Sequence, residues 1–285
     1  MKTTITILII LVGLFIAQRI FGPFYLAAFY NAFSPGNVRE ITDISFADHE
    51  RLMLDIYTPR NHTEKDDLPV LLFFHGGSWK SNNKDKFKYI GRTMASRGYI
   101  TVIPNYRLVP QSRYPDQIKD AARALRWVER NIGEYGGSHN NIILCGHSAG
   151  GHLASLLAFD DSWLKKYDIN RDHIKSLVLL AGVYIFADSY EEGHELVQNF
   201  VPADNWQEAQ PYLHVDGEAP PTYIIHGEND KMVDIDQSRF LSRKLTKHGV
   251  ETRLFLRKNM NHISLIMSLA RKNHALWDKV LNNIK

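Results

Sequence analysis

Five short stretches of this chain are apolar almost without interruption: Val70 to Phe74, Ile100 to Ile103 (with Thr101), Ile142 to Cys145, Leu177 to Leu180 and Tyr223 to Ile225. A strand with one wet face alternates apolar and polar residues. A run that does not alternate reads as a parallel strand buried on both faces. Thr252 to Leu256 fits one more strand. Helical patterns lie between the runs. Ile118, Ala121, Ala122, Leu125, Val128 and Ile132 follow the spacing of one apolar helix face, starting just after Pro115. Ser148 to Phe159 is apolar with small residues, Asp236 to His248 is amphipathic and ended by Gly249, and Ser264 to Ile284 reads as one last helix. Strand–helix repetition of this length predicts an α/β fold, a doubly wound and mostly parallel central sheet with helices on both faces. Ahead of it, Val38 to Pro59 holds two strand-like stretches, expected to be antiparallel and joined by a turn near Asp48-His49-Glu50.

The N-terminus has a different character. Residues 5–17 carry no charge, Gln18 and Arg19 interrupt, and Ile20 to Phe33 is again apolar and aromatic. A bare run of 13 suits a signal-peptide core, whereas adding the flanks makes an uncleaved anchor. Bulky Phe15 sits three residues before a cut after Ala17, which favours the anchor. Residues 1–33 are therefore expected to be a membrane segment, signal anchor or signal peptide, and 34–285 one catalytic domain. Lys2 on the cytoplasmic side places that domain outside the cytoplasm, on the periplasmic side in a bacterium. The rest of the composition excludes other classes. Net charge is +3, from 34 basic and 31 acidic residues, so there is no electrostatic footprint for nucleic acid. One cysteine, Cys145, rules out an intramolecular disulfide and any multi-cysteine metal site. The 13 histidines include no His-Glu-x-x-His, so no metal is expected.

Three segments end strands with residues that carry chemistry. Gly146-His147-Ser148-Ala149-Gly150 falls between a strand and a helix. A serine in so sharp a turn needs small neighbours, and it lies at a helix N-terminus where developing negative charge is favoured. His75-Gly76-Gly77-Ser78-Trp79 follows another strand, and its glycines free backbone N–H groups to face a ligand. The N–H of Ala149 would complete such a site. His75 is expected to orient this loop by hydrogen bonding, and His147 flanks the serine. His226-Gly227-Glu228-Asn229-Asp230 ends a third strand. Asp230 is the candidate carboxylate there, with Glu228 and Asp234 as alternatives. His262, in Met260-Asn261-His262, precedes the last helix. The order serine, acid, histidine is the one expected for a hydrolase on this fold. One long excursion, residues 184–217, breaks the rhythm. It contains Tyr184, Phe186, Phe200 and Trp206 and reads as a lid-like insert shaping the substrate pocket, with packing of the lid as the default reading of its aromatics.

These motifs, together with Asn105-Tyr106-Arg107-Leu108 and Tyr135-Gly136-Gly137, carry a family resemblance. From about Asp55 onward the chain resembles the α/β-hydrolase superfamily. Within it, the chain is similar to carboxylesterases related to hormone-sensitive lipase and to the bacterial feruloyl-esterase-like group. Asn105 to Ser155 is also similar to isoprenylcysteine methylesterases and kynurenine formamidases. The resemblance implies Ser148 as nucleophile, His262 as base and Asp230 as its orienting acid. It implies Gly76, Gly77 and Ala149 as oxyanion donors, with His75, Trp79 and His147 in support, and no cofactor. Asp120 is expected to be a structural ion-pair member. The implied activity is hydrolysis of a small or amphiphilic ester through an acyl-enzyme, with a rate that falls as acid protonates His262. The alternatives are an amidase such as an arylformamidase, or a silent membrane-tethered binding module. Many lipase relatives have a third glycine where Ser78 stands, so acyl specificity does not transfer. The oligomeric state is not legible.

Overall fold

Along Leu68–Phe74 the side chains of Val70, Leu72 and Phe74 enter one core, and those of Leu71 and Phe73 enter another. That split is what an unalternating apolar strand requires, and it organises the whole chain. The structure is a computed structural model in which residues 30–32, 34–186, 194–271 and 274–284 are described. Eight strands form one sheet: β1 (Val38–Ser45), β2 (Met53–Pro59), β3 (Leu68–Phe74), β4 (Ile100–Pro104), β5 (Gly137–His147), β6 (Ile174–Leu180), β7 (Thr222–Gly227) and β8 (Thr252–Arg257). Their order is β1-β2-β4-β3-β5-β6-β7-β8. β1 pairs antiparallel with β2, and β2 antiparallel with β4. Every other pairing is parallel. The reversal at β4-β3-β5 leaves the C-terminal ends of β3 and β5 side by side, with Phe74 in register with Gly146. A crevice at such ends is where open α/β sheets bind ligands.

Helices cover both faces. The long helices are α1 (Lys88–Ala95), α2 (Asp116–Asn131), α3 (Ala149–Phe159) and α6 (Ile235–Lys247); α4 (Asp161–Lys166), α5 (Glu195–Phe200) and α7 (His262–Met267) are short; α8 (Ala275–Ile284) closes the chain. α2, α3 and α6 pack Ile118, Leu125, Leu153, Leu157, Leu241 and Leu245 on the Leu72 side. α1, α7 and α8 pack Ile90, Met94, Leu265, Trp277 and Leu281 on the Phe73 side, beside Cys145. α3 is buried along its whole length, which explains its lack of a polar face.

One expectation needs correction. The last helix is not continuous: α7 runs into a 3₁₀ turn, Ser268–Ala270, and extended backbone at Arg271 precedes α8. The break lets α8 fold back, so that the Trp277 indole N–H donates to Ser268 Oγ at 3.1 Å. α1 is a further helix. Gly91, a weak helix former, sits at its centre. No side chain fits there, because a Cβ would lie 2.2 Å from the Tyr57 ring. The described part of the insert is packed into the core. Phe200 stacks on Trp79 at 4.1 Å, Phe186 lies 5.2 Å from the His152 ring, and Tyr184 is buried. Gln237 on α6 accepts from the N–H groups of Tyr184 and Ile185. The expected membrane segment, residues 1–33, lies outside the described residues except for 30–32. No helix among the described residues is long and apolar enough to cross a membrane.

Two buried ion clusters hold the loops above the sheet. Arg107 grips Asp120 through Nε and Nη2, both at 2.8 Å, and its own N–H donates to the same carboxylate. Asp120 is thus the structural ion-pair member expected. Lys84, 2% exposed, contacts Asp43 at 2.6 Å and buried Asp55 at 2.8 Å. Asn105 Oδ1 accepts the Lys84 N–H at 2.7 Å. The edge strand β1 and its neighbour β2 are thereby tied to the segment that follows the Gly76-Gly77 turn. Removing a buried cation strands its carboxylates, so Lys84→Met is expected to cost about 3–5 kcal/mol. Urea unfolding of the variant beside the parent measures it.

Candidate active site

Ser148 occupies the turn from β5 to α3 with φ of +54° and ψ of −121°, a conformation that serine rarely adopts. What holds it there is close approach of backbone. A Cβ on Gly146 would lie 2.1 Å from the Gly150 carbonyl oxygen, and one on Gly150 would lie 2.0 Å from that of Phe74. Only glycines let α3 begin so near the ends of β3 and β5. The Ser148 N–H donates to Leu180 O at 2.9 Å, which ties the turn to β6 as well. The side chain emerges in a cleft of about 240 Å³ beside Gly76, Gly77 and His262, with Phe87, Ile266 and Met267 among its apolar lining.

His262 starts α7 and is 3% exposed. Asn261 caps that helix, accepting from Ile263 and Ser264 N–H, so the histidine has little freedom to move. Its Nδ1 lies 2.7 Å from Asp230 Oδ2. A carboxylate accepts, so Nδ1 carries a proton, and in the neutral ring the lone pair lies on Nε2. Asp230 Oδ1 accepts from the N–H groups of Met232 and Val233 at 2.8 and 3.0 Å. His226 Nε2 lies 3.3 Å from Asp230 Oδ2. Burial works to raise the Asp230 pKa, but hydrogen bonds from His226, His262 and Val233 outweigh it and hold the carboxyl well below the usual range. Asp230 therefore stays ionised. The alternatives are placed elsewhere: Asp234 caps α6 through Asp236 N–H, and Glu228 is exposed.

His147 lies across His262, ring centres 4.4 Å apart, and its Nε2 donates to the His262 carbonyl at 3.1 Å. Burial lowers its pKa far below the ordinary value, with the neighbouring His262 charge adding to the effect. A neutral His147 adds no positive charge against the His262 ring. His75 is buried between Tyr106 and Phe87, 4.4 and 5.7 Å away in stacked geometry. Its Nδ1 bonds Gly76 O at 2.9 Å, and burial pushes its pKa down to about 3. The Tyr106 hydroxyl donates to His75 O at 2.9 Å. Trp79 points away from the cleft, its indole N–H reaching His152 Nδ1 at 3.3 Å. Gly77 (φ +134°), Ser78 (+54°) and Trp79 (+55°) all have left-handed backbone, which is why a glycine in place of Ser78 suits this turn. Ala149, the first residue of α3, has an N–H with no partner inside the helix.

A family model, BD-FAE, matches residues 54–245. The chain belongs to the BD-FAE family. Esterase LipQ of Mycobacterium tuberculosis is 33% identical over 215 residues, 70% of this chain and 51% of LipQ. Isoprenylcysteine alpha-carbonyl methylesterase ICME of Arabidopsis thaliana is 27% identical over 292 residues, 92% of this chain and 65% of ICME. This chain thus spans about half the length of the mycobacterial relative. Among solved structures, esterase B from Lactobacillus rhamnosus superposes with a TM-score of 0.78 at 20% identity, covering 100% of this chain and 96% of that one. It has also been solved inhibited by a tributyrin phosphonate. The likeness fixes the fold of this BD-FAE member as that of the α/β-hydrolase esterases.

The structure thus gathers Ser148, His262, His147, Gly76 and Gly77 on one cleft, with Asp230 behind His262 and Ala149 behind Ser148. His75 and Trp79 support the loop from beneath. Among the described residues, none of the insert lines this cleft, and no group of three or more potential ligands is placed to hold a metal ion. His226 was not foreseen as a partner of Asp230. Its position four residues before Asp230, at a strand end, was the only available signal. An imidazole oriented by an ionised carboxylate, beside a hydroxyl at a helix N-terminus, has the parts for acyl transfer.

Three buried histidines predict how this site responds to acid. His75 is pushed down to about 3, His152 to about 4, and His147 well below its ordinary value of 6.5. The unfolded chain takes up these protons more readily than the native one. Their stability contribution is whole above pH 6.5 and is lost as pH falls toward 4, each group contributing about 1.4 kcal/mol per pH unit. Asp230, with its depressed pKa, adds to the loss below its ordinary 3.8. Urea midpoints are expected to fall steeply between pH 6 and 4, and less steeply in His152→Gln. Midpoints independent of pH in that window contradict the assignment.

Proposed function

We propose that this protein is a serine carboxylesterase that hydrolyses a small or amphiphilic ester through an acyl-enzyme. The observation carrying the proposal is the 2.7 Å contact between His262 Nδ1 and ionised Asp230, in the cleft that also exposes Ser148 at the start of α3. His262 Nε2 takes the Ser148 proton as Oγ attacks the ester carbonyl carbon. Asp230 holds the ring in the required tautomer and stabilises the imidazolium. The tetrahedral oxyanion is held by the N–H groups of Gly76, Gly77 and Ala149, of which each well-aimed donor is worth about 3–4 kcal/mol. Collapse expels the alcohol, protonated by His262. Water, deprotonated by the same ring, then attacks the acyl-enzyme and frees the acid and Ser148. The apolar lining of the cleft suits an acyl chain or an apolar alcohol. Membership of the BD-FAE family, the esterase LipQ and the phosphonate bound by esterase B support ester chemistry. The apolar N-terminus supports a membrane-tethered enzyme with this domain outside the cytoplasm.

Ser148→Ala and His262→Ala are each expected to lower kcat by about 10⁴-fold or more on p-nitrophenyl esters, with little change in unfolding midpoint. A fluorophosphonate is expected to label Ser148 in the parent only. A panel of acyl chain lengths, with N-formylkynurenine alongside, separates the esterase from a formamidase. Full turnover by either purified variant would falsify the assignment of that residue.

A further inference from the structure

The peptide between Gly76 and Gly77 is held by its oxygen. Gly76 O accepts from Asn82 Nδ2 at 2.9 Å and from His75 Nδ1 at 2.9 Å. In a planar trans peptide the C=O and N–H point in opposite directions. Fixing the oxygen against Asn82 and His75 therefore fixes the aim of the Gly77 N–H on the other side. We infer that Asn82 is a positioning residue for the oxyanion hole, its side-chain amide setting the orientation of the Gly76–Gly77 peptide. The inference rests on the reading of Gly77 as an oxyanion donor.

Asn82 is built in from three sides. Its backbone is left-handed, with φ of +76°, a conformation asparagine accepts better than most residues. That turn swings the side chain back beneath the glycines, so closely that a Cβ on Gly77 would lie 2.8 Å from Asn82 Nδ2. The Asn82 carbonyl accepts from Arg51 Nη2 at 2.6 Å, and Arg51 Nε in turn donates to Tyr106 O at 2.7 Å. Lys86 Nζ lies 3.1 Å from Asn82 Oδ1. An ammonium only donates, so the amide oxygen faces Lys86 and the NH₂ faces Gly76 O. The arrangement has a counterpart one residue earlier. The Tyr106 hydroxyl on His75 O orients the next peptide back, whose N–H belongs to Gly76. Two consecutive peptides are thus aimed from their carbonyl sides, one by Tyr106 and one by Asn82 with His75.

Two variants separate positioning from folding. Asn82→Gly retains the left-handed backbone and removes the amide. Asn82→Asp retains size and turn preference but faces the Gly76 oxygen with an acceptor. With a p-nitrophenyl ester, Asn82→Gly is expected to lower kcat about tenfold or more, less than the 10²–10³ for loss of a whole donor, with KM within about twofold. Asn82→Asp is expected to fall further. Affinity for a phenylboronic acid, whose serine adduct is tetrahedral and anionic, is expected to weaken in parallel with kcat. A merely structural role moves the unfolding midpoint but leaves that parallel absent. Ser148→Ala is assayed alongside. If turnover depends on Ser148 and either Asn82 variant keeps parental kcat and boronate affinity, the Asn82 inference is overturned while the esterase reading stands. If turnover does not depend on Ser148, both fall. A variant that does not fold is itself a result against the inference, since positioning predicts a folded, slow enzyme.

Discussion

The contact between helix α3 and the ends of β3 and β5 governs everything above the sheet. Gly150 comes so close to Phe74 that no side chain fits between them, and Gly146 stands in the same relation to Gly150. Backbone packing at that distance fixes where α3 begins. It therefore fixes Ser148 in its strained conformation and sets the N–H of Ala149 next to the Gly76-Gly77 turn. The strain on one residue is small beside what surrounds it, because α3 is buried throughout, as are Val70 to Phe74 of β3 and Ile142 to His147 of β5. The site is precise because its most constrained residue is held by the core rather than by a loop.

Around that fixed point the other groups come from loops, and each is held by hydrogen bonds rather than by apolar packing. Asp230 is immobilised by two backbone N–H groups and two imidazoles. His262 is fixed by the Asn261 cap on one side and His147 on the other. The glycine turn is fastened by Tyr106, His75 and Asn82, and the chain leaving it by Lys84. The polar layer is nearly as buried as the core beneath it, and His75, His147 and His152 must remain uncharged there. Neutral imidazoles can donate and accept without the desolvation cost of an ion, which suits them to this role.

Much of this was legible in the sequence because it depends on short-range patterns. The apolar runs located six strands, the small residues around Ser148 located the turn, and the chain order pointed to Asp230 and His262. What escaped depends on contacts far apart in the chain. α1 was hidden because Gly91 reads as a helix breaker until Tyr57, 34 positions earlier, is seen packed against it. The split of the last helix goes with a contact between its two parts, Trp277 reaching back to Ser268. For the aromatics of the insert, packing is the default reading of the sequence, and in the fold Phe200 lies on Trp79 and Phe186 on His152. Asn82 left no signal at all, because an asparagine among polar residues looks like any turn.

The chain's only thiol lies on the strand that carries this machinery. Cys145 is three residues before Ser148, inward-facing and 1% exposed, and burial raises its pKa. An alkylating reagent meets it only when the centre of the sheet opens. Thiol labelling therefore reports the opening of β5 directly, without an added probe. Cys145 is thus a native clock for the segment that ends at Ser148, running only while the sheet is open.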